Sequence, residues 1–168
     1  IPQAGADGIK IVFDTSRDNS RLGTNFGRSV FDRANAHDLP VMAHVHSNDD
    51  INDALGLGVT GFVHTPSEQI SDELLDRMVA TDISFATTLS SSQLVAGQPL
   101  EVPMEQKRQN LTALLGAGFL AAFGTNNAGN ESVGSALLAE MQALQDAGMT
   151  SSQILTALTA GAAEHLGR

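Results

Sequence analysis

Short runs of apolar and β-branched residues alternate along the chain with longer segments in which apolar residues recur every three or four positions. The short runs predict strands that are buried on both faces, and the longer segments predict amphipathic helices. Five strands are predicted, at residues 8–13, 40–46, 61–64, 84–89 and 119–124. Six helices are predicted, at residues 26–36, 49–57, 71–80, 104–115, 133–147 and 151–166. This alternation is typical of an α/β fold built on a parallel sheet.

Several predicted helices carry their own end signals. Ser71 is placed to cap one helix, and Thr150 with Gln153 forms a capping-box pattern at the start of the last one. Gly167 stands where a glycine commonly ends a helix. The last helix is therefore expected to be well ordered.

Composition limits the classes of function. The chain has 168 residues, a formal charge of −10 and a hydrophobic fraction of 42%. A globular core is therefore expected, whereas nucleic acid and anionic membranes are poor partners for so acidic a protein. We find neither a membrane-length apolar stretch nor a signal-peptide pattern, so we expect a soluble protein, of undetermined location. The start at Ile1 without an initiator methionine suggests a processed or fragmentary chain.

Two predicted loops bear on the choice of fold. Residues 90–103 form a long Ser-, Gly- and Pro-containing connection after a strand, which fits either a lid or an ordinary surface loop. Residues 14–19, which follow the first strand, contain no glycine. A flavodoxin-like domain should have a phosphate-binding glycine loop there, so that fold is disfavoured. Arg17 in this loop is a weak candidate for substrate contact.

Four ionisable residues occupy unusual places in the predicted strands. Lys10 lies within an apolar strand, His44 and His46 end the second strand, and His64 ends the third. The carboxyl ends of parallel strands share one edge, so these groups are expected to converge there. His44 and His46 are two residues apart and point to the same side of their strand. The set therefore indicates a metal or catalytic site, although any one of these histidines could be structural.

The other two histidines lack this context. His37 follows a predicted helix, and His165 lies in the last turn of the final helix. A cation complements the helix dipole at these positions, so structural roles are expected for both.

The order of motifs resembles that of the amidohydrolase superfamily, in particular its imidazolonepropionase-like and dipeptidase-like members. The segments that carry the resemblance are residues 5–11, 36–46, 58–64, 123–129 and 147–167. They are similar to the fourth, fifth, sixth and eighth strands of the family barrel and to its closing helix. Single motifs are only moderately specific, but their order and spacing together are highly specific.

The resemblance implies a set of metal ligands. In such enzymes the residue at Lys10 is carboxylated and bridges two metal ions, and the residues at His44 and His64 bind metal. The implied cofactor is a divalent metal, best matched by zinc, as one or two ions. Asn126 stands at the family's catalytic aspartate position, and an amide cannot act as a general base. His46 and Asn127 are placed to contact substrate.

The resemblance also implies an incomplete barrel. A closed (β/α)8 barrel needs about 250 residues, and the family's first three strands have no counterpart here. We therefore expect residues 1–168 to form a single partial TIM-like barrel of about five parallel strands with flanking helices. Its open edges are expected to be completed by a homo-oligomer or by a missing N-terminal half.

Two functions follow from these expectations. The first is metal-dependent hydrolysis of an amide, peptide or cyclic amide in a small substrate, with this chain supplying part of the site. The alternative is a non-catalytic barrel fragment that binds metal or a ligand, or that assembles with a partner.

Overall fold

The structure is a computed structural model that describes residues 5–13, 24–90, 104–126 and 132–168. The described strands are β1 (Ile9–Val12), β2 (Val41–His44), β3 (Gly61–Val63), β4 (Ser84–Ala86) and β5 (Ala121–Ala122). The helices are α1 (Thr24–Asn35), α2 (Asn48–Leu57), α3 (Asp72–Ala80), α4 (Met104–Gly116), α5 (Val133–Asp146), α6 (Ser151–Thr156) and α7 (Ala162–His165). A π-helical turn, Ala157–Gly161, joins α6 to α7. Most of the predicted loop at residues 90–103 lies outside the described residues.

The five strands form one sheet in the order β1-β2-β3-β4-β5, and every neighbouring pair is parallel. Each strand lies beside the next one in sequence, which is the arrangement of consecutive βα units in part of a (β/α) barrel. The predicted fold class is confirmed.

The two faces of the sheet differ in burial. One face presents Ile11, Ala43, Phe62 and Phe85, which are 0 to 5% exposed and belong to a hydrophobic core shared with the helices. Strand side chains alternate between faces, so the neighbouring residues lie on the opposite face. That face includes Val12, which is 48% exposed. We call it the open face; it consists of the side chains in register with Lys10 and with Val12 on β1 to β5.

The strands are shorter than the sequence pattern predicts. The predicted strand at residues 84–89 ends at Ala86, and the one at residues 40–46 ends at His44. His64 and Thr88 follow their strands with φ angles of 90° and 146°. These positive φ values take the backbone out of the extended region, although the His64 N–H still donates to the Ala86 carbonyl at 3.1 Å. The apolar pattern shows where a segment is buried, whereas the backbone angle determines where the strand ends.

The predicted helix at residues 151–166 is interrupted by the π-helical turn. The Phe123 backbone N–H donates to the Ala157 carbonyl at 3.0 Å. Gly161 packs so closely that a Cβ there would lie 2.1 Å from the Ala121 carbonyl oxygen. The turn therefore lies against β5, and only glycine fits at its closest point. The predicted capping box at Thr150 and the positive φ of 70° at Gly167 are confirmed.

None of the described helices is both long enough and apolar enough to cross a lipid bilayer.

Candidate functional site

Three histidine rings meet at the carboxyl ends of β2 and β3. The ring centroids of His44 and His64 are 4.4 Å apart, and those of His44 and His46 are 4.5 Å apart. The rings of His46 and His64 are stacked with centroids 6.0 Å apart. We call these residues the histidine cluster. The structure thus brings together three of the side chains that the sequence singled out.

The local backbone explains why the rings meet. His44 is the last residue of β2 and faces the open side in register with Val63 of β3. His64, the next residue, would point to the opposite face if the strand continued. Its φ of 90° turns the chain instead, and the ring lies edge-on to that of His44. Positive φ is costly for residues with a Cβ and is often found at functional sites.

The electrostatic surroundings keep His64 neutral. Its side chain is 5% exposed, and burial is the largest cause that lowers its pKa from 6.5 to about 2. Electrostatic interactions with His44 and with Lys10 lower the pKa further. His64 is therefore a neutral imidazole at physiological pH, which is the form that binds metal ions.

Lys10 lies one row below the histidine cluster on the open face. It is paired with Met42, two residues before the pair formed by Val12 and His44. The charge of Lys10 is one of the causes that lower the pKa of His64. An apolar strand predicts that Lys10 is buried. Its side chain is exposed in the structure, so that prediction is wrong. The reason is that no described residue covers the open face at β1.

A buried carboxylate holds the chain at His46. Asp50 is 1% exposed, and its Oδ2 accepts hydrogen bonds from the backbone N–H groups of His46 at 3.1 Å and Ser47 at 3.0 Å. Ser47 and Asp50 also form the capping box of α2. The start of α2 is therefore tied to the end of β2, which fixes the backbone position of His46.

A second buried network supports His64 from the side of β4. Nδ1 of His64 lies 2.8 Å from Oγ1 of Thr88. The backbone N–H groups of Leu89 and Ser90 donate to the carboxylate of Glu140 at 2.9 and 2.7 Å. Glu140 is fully buried on α5, and the segment that follows β4 is thereby held against that helix.

Lys107 is the buried cation of this network. It is 3% exposed, and burial lowers its pKa from 10.5 to about 8, although the charge of Glu140 raises it. Between pH 8 and pH 10.5, Lys107 is protonated in the unfolded chain and deprotonated in the folded chain. The penalty of burying the ammonium therefore applies fully below pH 8 and disappears as the pH rises towards 10.5.

This shift predicts an alkaline rise in stability. The free energy of unfolding of the chain should increase by about 3 kcal/mol between those two pH values, and Lys107→Met should remove most of the increase. The chain contains no tyrosine and no cysteine, and its other lysine is Lys10. Urea denaturation across this pH range, with Lys10→Met as the control, measures the effect. A rise that survives in Lys107→Met and disappears in Lys10→Met would contradict the assignment.

Asn110 holds the loop that follows His64. Its side-chain amide donates to the carbonyl groups of Pro66 at 2.9 Å and Glu68 at 2.6 Å, and its Oδ1 accepts from the Ile70 N–H at 3.1 Å. Asn110 is 2% exposed. One side chain of α4 thus satisfies three backbone groups of the loop after β3.

The sequence pattern did not lead us to predict the supporting roles of Lys107, Asn110 and Glu140, although their helical spacing indicates burial. Lys107, Asn110, Leu111 and Leu114 are buried at helical spacing on α4, and Glu140 lies four residues from each of two buried apolar residues of α5. A polar residue in the apolar stripe of a helix indicates a buried partner.

Asn126 follows β5 at the same edge of the sheet. It is exposed and has a φ of 45°. Like His64 and Thr88, it is a residue with positive φ that follows a strand. Asn127 and Arg17, the other residues considered for substrate contact, lie outside the described residues.

The remaining histidines lie apart from the cluster. His37 is exposed after α1. His165 is 8% exposed, its Nδ1 lies 2.8 Å from the Ser84 Oγ, and burial lowers its pKa. The expectation that a charged His165 complements the helix dipole is therefore wrong. Its structural contact is a hydrogen bond to the first residue of β4.

The donor atoms fit part of a metal site. Within the described ranges, no three His, Cys, Asp or Glu side chains have the arrangement of a metal site. The predicted ligand set draws only two histidines from this group, with Lys10 as the third member. Neutral imidazole nitrogens suit zinc, which forms bonds of about 2.0–2.1 Å to them. The chain thus offers suitable donors, but fewer of them than a closed site requires.

Comparison with known proteins places these features in a family. The sequence profile of the amidohydrolase family matches residues 8–168. No curated protein sequence matches the chain. Among solved structures, a Xaa-Pro dipeptidase with bound methionine superimposes with a TM-score of 0.77 at 22% identity, covering 99% of this chain and 45% of the dipeptidase.

Two further structures give the same picture. The ochratoxinase of A. niger has a TM-score of 0.78 at 23% identity, with 98% of this chain and 40% of that enzyme covered. A protein described as an amidohydrolase has a TM-score of 0.80 at 20% identity, with 99% and 44% covered. These likenesses establish the fold. The chain spans less than half the length of these proteins, which agrees with a partial TIM barrel.

Proposed function

The chain belongs to the amidohydrolase family, and we propose that it supplies part of the metal site of a hydrolase that cleaves C–N bonds. The substrate class is a small amide, peptide or cyclic amide. The proposed metal ligands are Lys10, His44 and His64. Residues 1–168 act as one partial barrel domain in this proposal.

The observation that carries the proposal is the close approach of the His44 and His64 rings, with centroids 4.4 Å apart, at the carboxyl end of the sheet. Active sites of (β/α) barrels lie at this end. Burial keeps His64 in the neutral form that a metal ion requires. His64 therefore has both the location and the protonation state expected of a metal ligand, and His44 shares its location.

Each proposed residue has a distinct task. A bound zinc ion would lower the pKa of water and polarise the scissile carbonyl group. His44 and His64 would hold the ion through ring nitrogens, and Lys10 would join them as a carbamate formed with carbon dioxide. Lys10 lies on the same face of the sheet as His44, two register positions earlier, which supports this assignment. His46 would contact the substrate beside the metal, with its backbone fixed by Asp50, and Asn127 is proposed for the same task.

The names of the structural relatives support a C–N bond as the bond that is cleaved. A Xaa-Pro dipeptidase and a prolidase complexed with N-methylphosphonate-L-proline are among the similar structures. We infer a C–N bond as the target from these names and from the family. The full activity requires the other strands of the barrel, which we propose come from a second copy of this chain or from an N-terminal half.

A second function is favoured by Asn126. An amide can coordinate metal through its oxygen, but it cannot take a proton from water. The alternative is therefore a family member that retains metal binding without rapid turnover.

Asn126→Asp separates the two functions. The zinc-loaded protein should hydrolyse members of a panel of dipeptides and N-acyl amino acids slowly, and Asn126→Asp should raise the rate about 100-fold or more, because a restored general base contributes about 10²–10⁴. Zinc content is measured on the same samples. The control Asn35→Asp makes the same change at the exposed last residue of α1.

The outcomes distinguish the proposals. Zinc binding with an inert Asn126→Asp variant supports the non-catalytic alternative. Absence of bound zinc in both proteins would remove the basis for either function.

A further inference from the structure

The His64 ring is held by a chain of contacts that runs back to α5. Oγ1 of Thr88 lies 2.8 Å from Nδ1 of His64, and both residues are buried, at 4% and 5% exposure. This hydrogen bond joins two buried side chains 24 positions apart and therefore fixes the orientation of the His64 ring. It also engages one ring nitrogen and leaves Nε2 for any other contact.

Thr88 makes this contact from a strained conformation. Its φ is 146°, in the region that β-branched residues rarely adopt. The two residues that follow are anchored, because the N–H groups of Leu89 and Ser90 both donate to the buried carboxylate of Glu140. On the other side, the Thr87 N–H donates to the Ala122 carbonyl at 2.8 Å. The backbone is fixed on both sides of Thr88, so the surrounding structure holds the strained residue in place.

We propose that Thr88 is a positioning residue that selects the tautomer of His64, by accepting a hydrogen bond from the Nδ1–H group. Nε2 then carries the lone pair and is the atom that can bind a metal ion. The metal-binding consequence rests on the proposed function, whereas the tautomer does not.

The physical reason lies in the two ring nitrogens. A neutral imidazole carries one proton, and the nitrogen that bears it cannot also bind a metal. Metal-binding histidines generally donate their other ring N–H to a fixed acceptor, and loss of that acceptor typically costs 10–100-fold in metal affinity. A threonine hydroxyl can act as this acceptor. The strained backbone at Thr88 is then explained by the placement of its Oγ1.

Thr65 provides a matched control for this hydroxyl. It is the residue next to His64, it is fully buried, and its Oγ1 makes no hydrogen bond within the described part of the chain. Thr88→Val and Thr65→Val each remove one buried hydroxyl while keeping the branched shape. Thr88→Ser restores the hydroxyl without the methyl group.

The tautomer is measured by heteronuclear NMR of the imidazole nitrogens in the zinc-free protein at neutral pH, with the His64 signals assigned from their loss in His64→Asn. Wild type, Thr65→Val and Thr88→Ser should show the Nδ1–H tautomer. Thr88→Val should shift the population towards Nε2–H. Circular dichroism verifies that each variant is folded.

Zinc titration of the same proteins provides the second readout. Thr88→Val should bind zinc about 10–100-fold more weakly than Thr65→Val. An Nε2–H tautomer in wild type, or a tautomer unchanged by Thr88→Val, overturns the inference even if zinc binds. Failure of wild type to bind zinc instead overturns the proposed function and leaves the tautomer result to stand by itself.

Discussion

Glu140→Leu should lower the free energy of unfolding of the chain by about 2–5 kcal/mol, because each hydrogen-bonding group left buried without a partner costs about 1–3 kcal/mol. The carboxylate is fully buried and accepts two backbone hydrogen bonds, from Leu89 and Ser90. Its loss leaves those N–H groups without their acceptor and removes the negative charge that raises the pKa of Lys107. Urea denaturation at neutral pH measures the change.

A double-mutant cycle separates the charge from the hydrogen bonds. Glu140→Leu combined with Lys107→Met should be less destabilised than Glu140→Leu alone, because no buried charge remains. Glu140→Gln keeps the side-chain volume and one acceptor oxygen, so its loss should be intermediate. If Glu140→Leu costs less than about 1 kcal/mol, the network does not support the end of β4.

His64→Ala should lower the affinity of the protein for zinc at least about 100-fold, more than the typical loss of a residue that only orients a ligand. The variant removes a neutral imidazole from the histidine cluster, where its ring centroid lies 4.4 Å from that of His44. His44→Ala should have an effect of the same size. Isothermal titration with zinc measures both.

His37→Ala is the matched control for these variants, because His37 is exposed and lies apart from the cluster. It should bind zinc as wild type does. Equal losses in His37→Ala and His64→Ala would mean that zinc binds to surface histidines and that the cluster is not the site.

The fold could be predicted from the sequence because the strands are apolar on both sides and separated by helical patterns. Residues 40–46 and 61–64 contain the observed β2 and β3, and the capping residues Ser71 and Thr150 begin their helices as expected. The ends of the strands could not be predicted in this way. At β3 and β4 the residues that follow have positive φ values, at His64 and Thr88, which tertiary contacts hold against local preference.

The approach of the histidines could also be predicted, because parallel strands bring their carboxyl ends to one edge. The exposure of Lys10 was predicted wrongly, since burial was judged from the neighbouring residues Ile9 and Ile11. Burial of that residue depends on what covers the open face, which local sequence does not contain. The electrostatic interaction of Lys107 with Glu140 links residues of α4 and α5 that are far apart in sequence, and sequence spacing gives no distance between helices.

The most direct test of the central claim is a crystal structure of the chain soaked with zinc, with anomalous diffraction recorded at the zinc edge. We expect an ion at the carboxyl ends of β2 and β3, about 2.0–2.1 Å from a ring nitrogen of His44 and of His64, with Lys10 turned towards it. Zinc bound only at other places in the protein would contradict this expectation. So would a zinc-free cluster in which the His44 and His64 rings face away from each other.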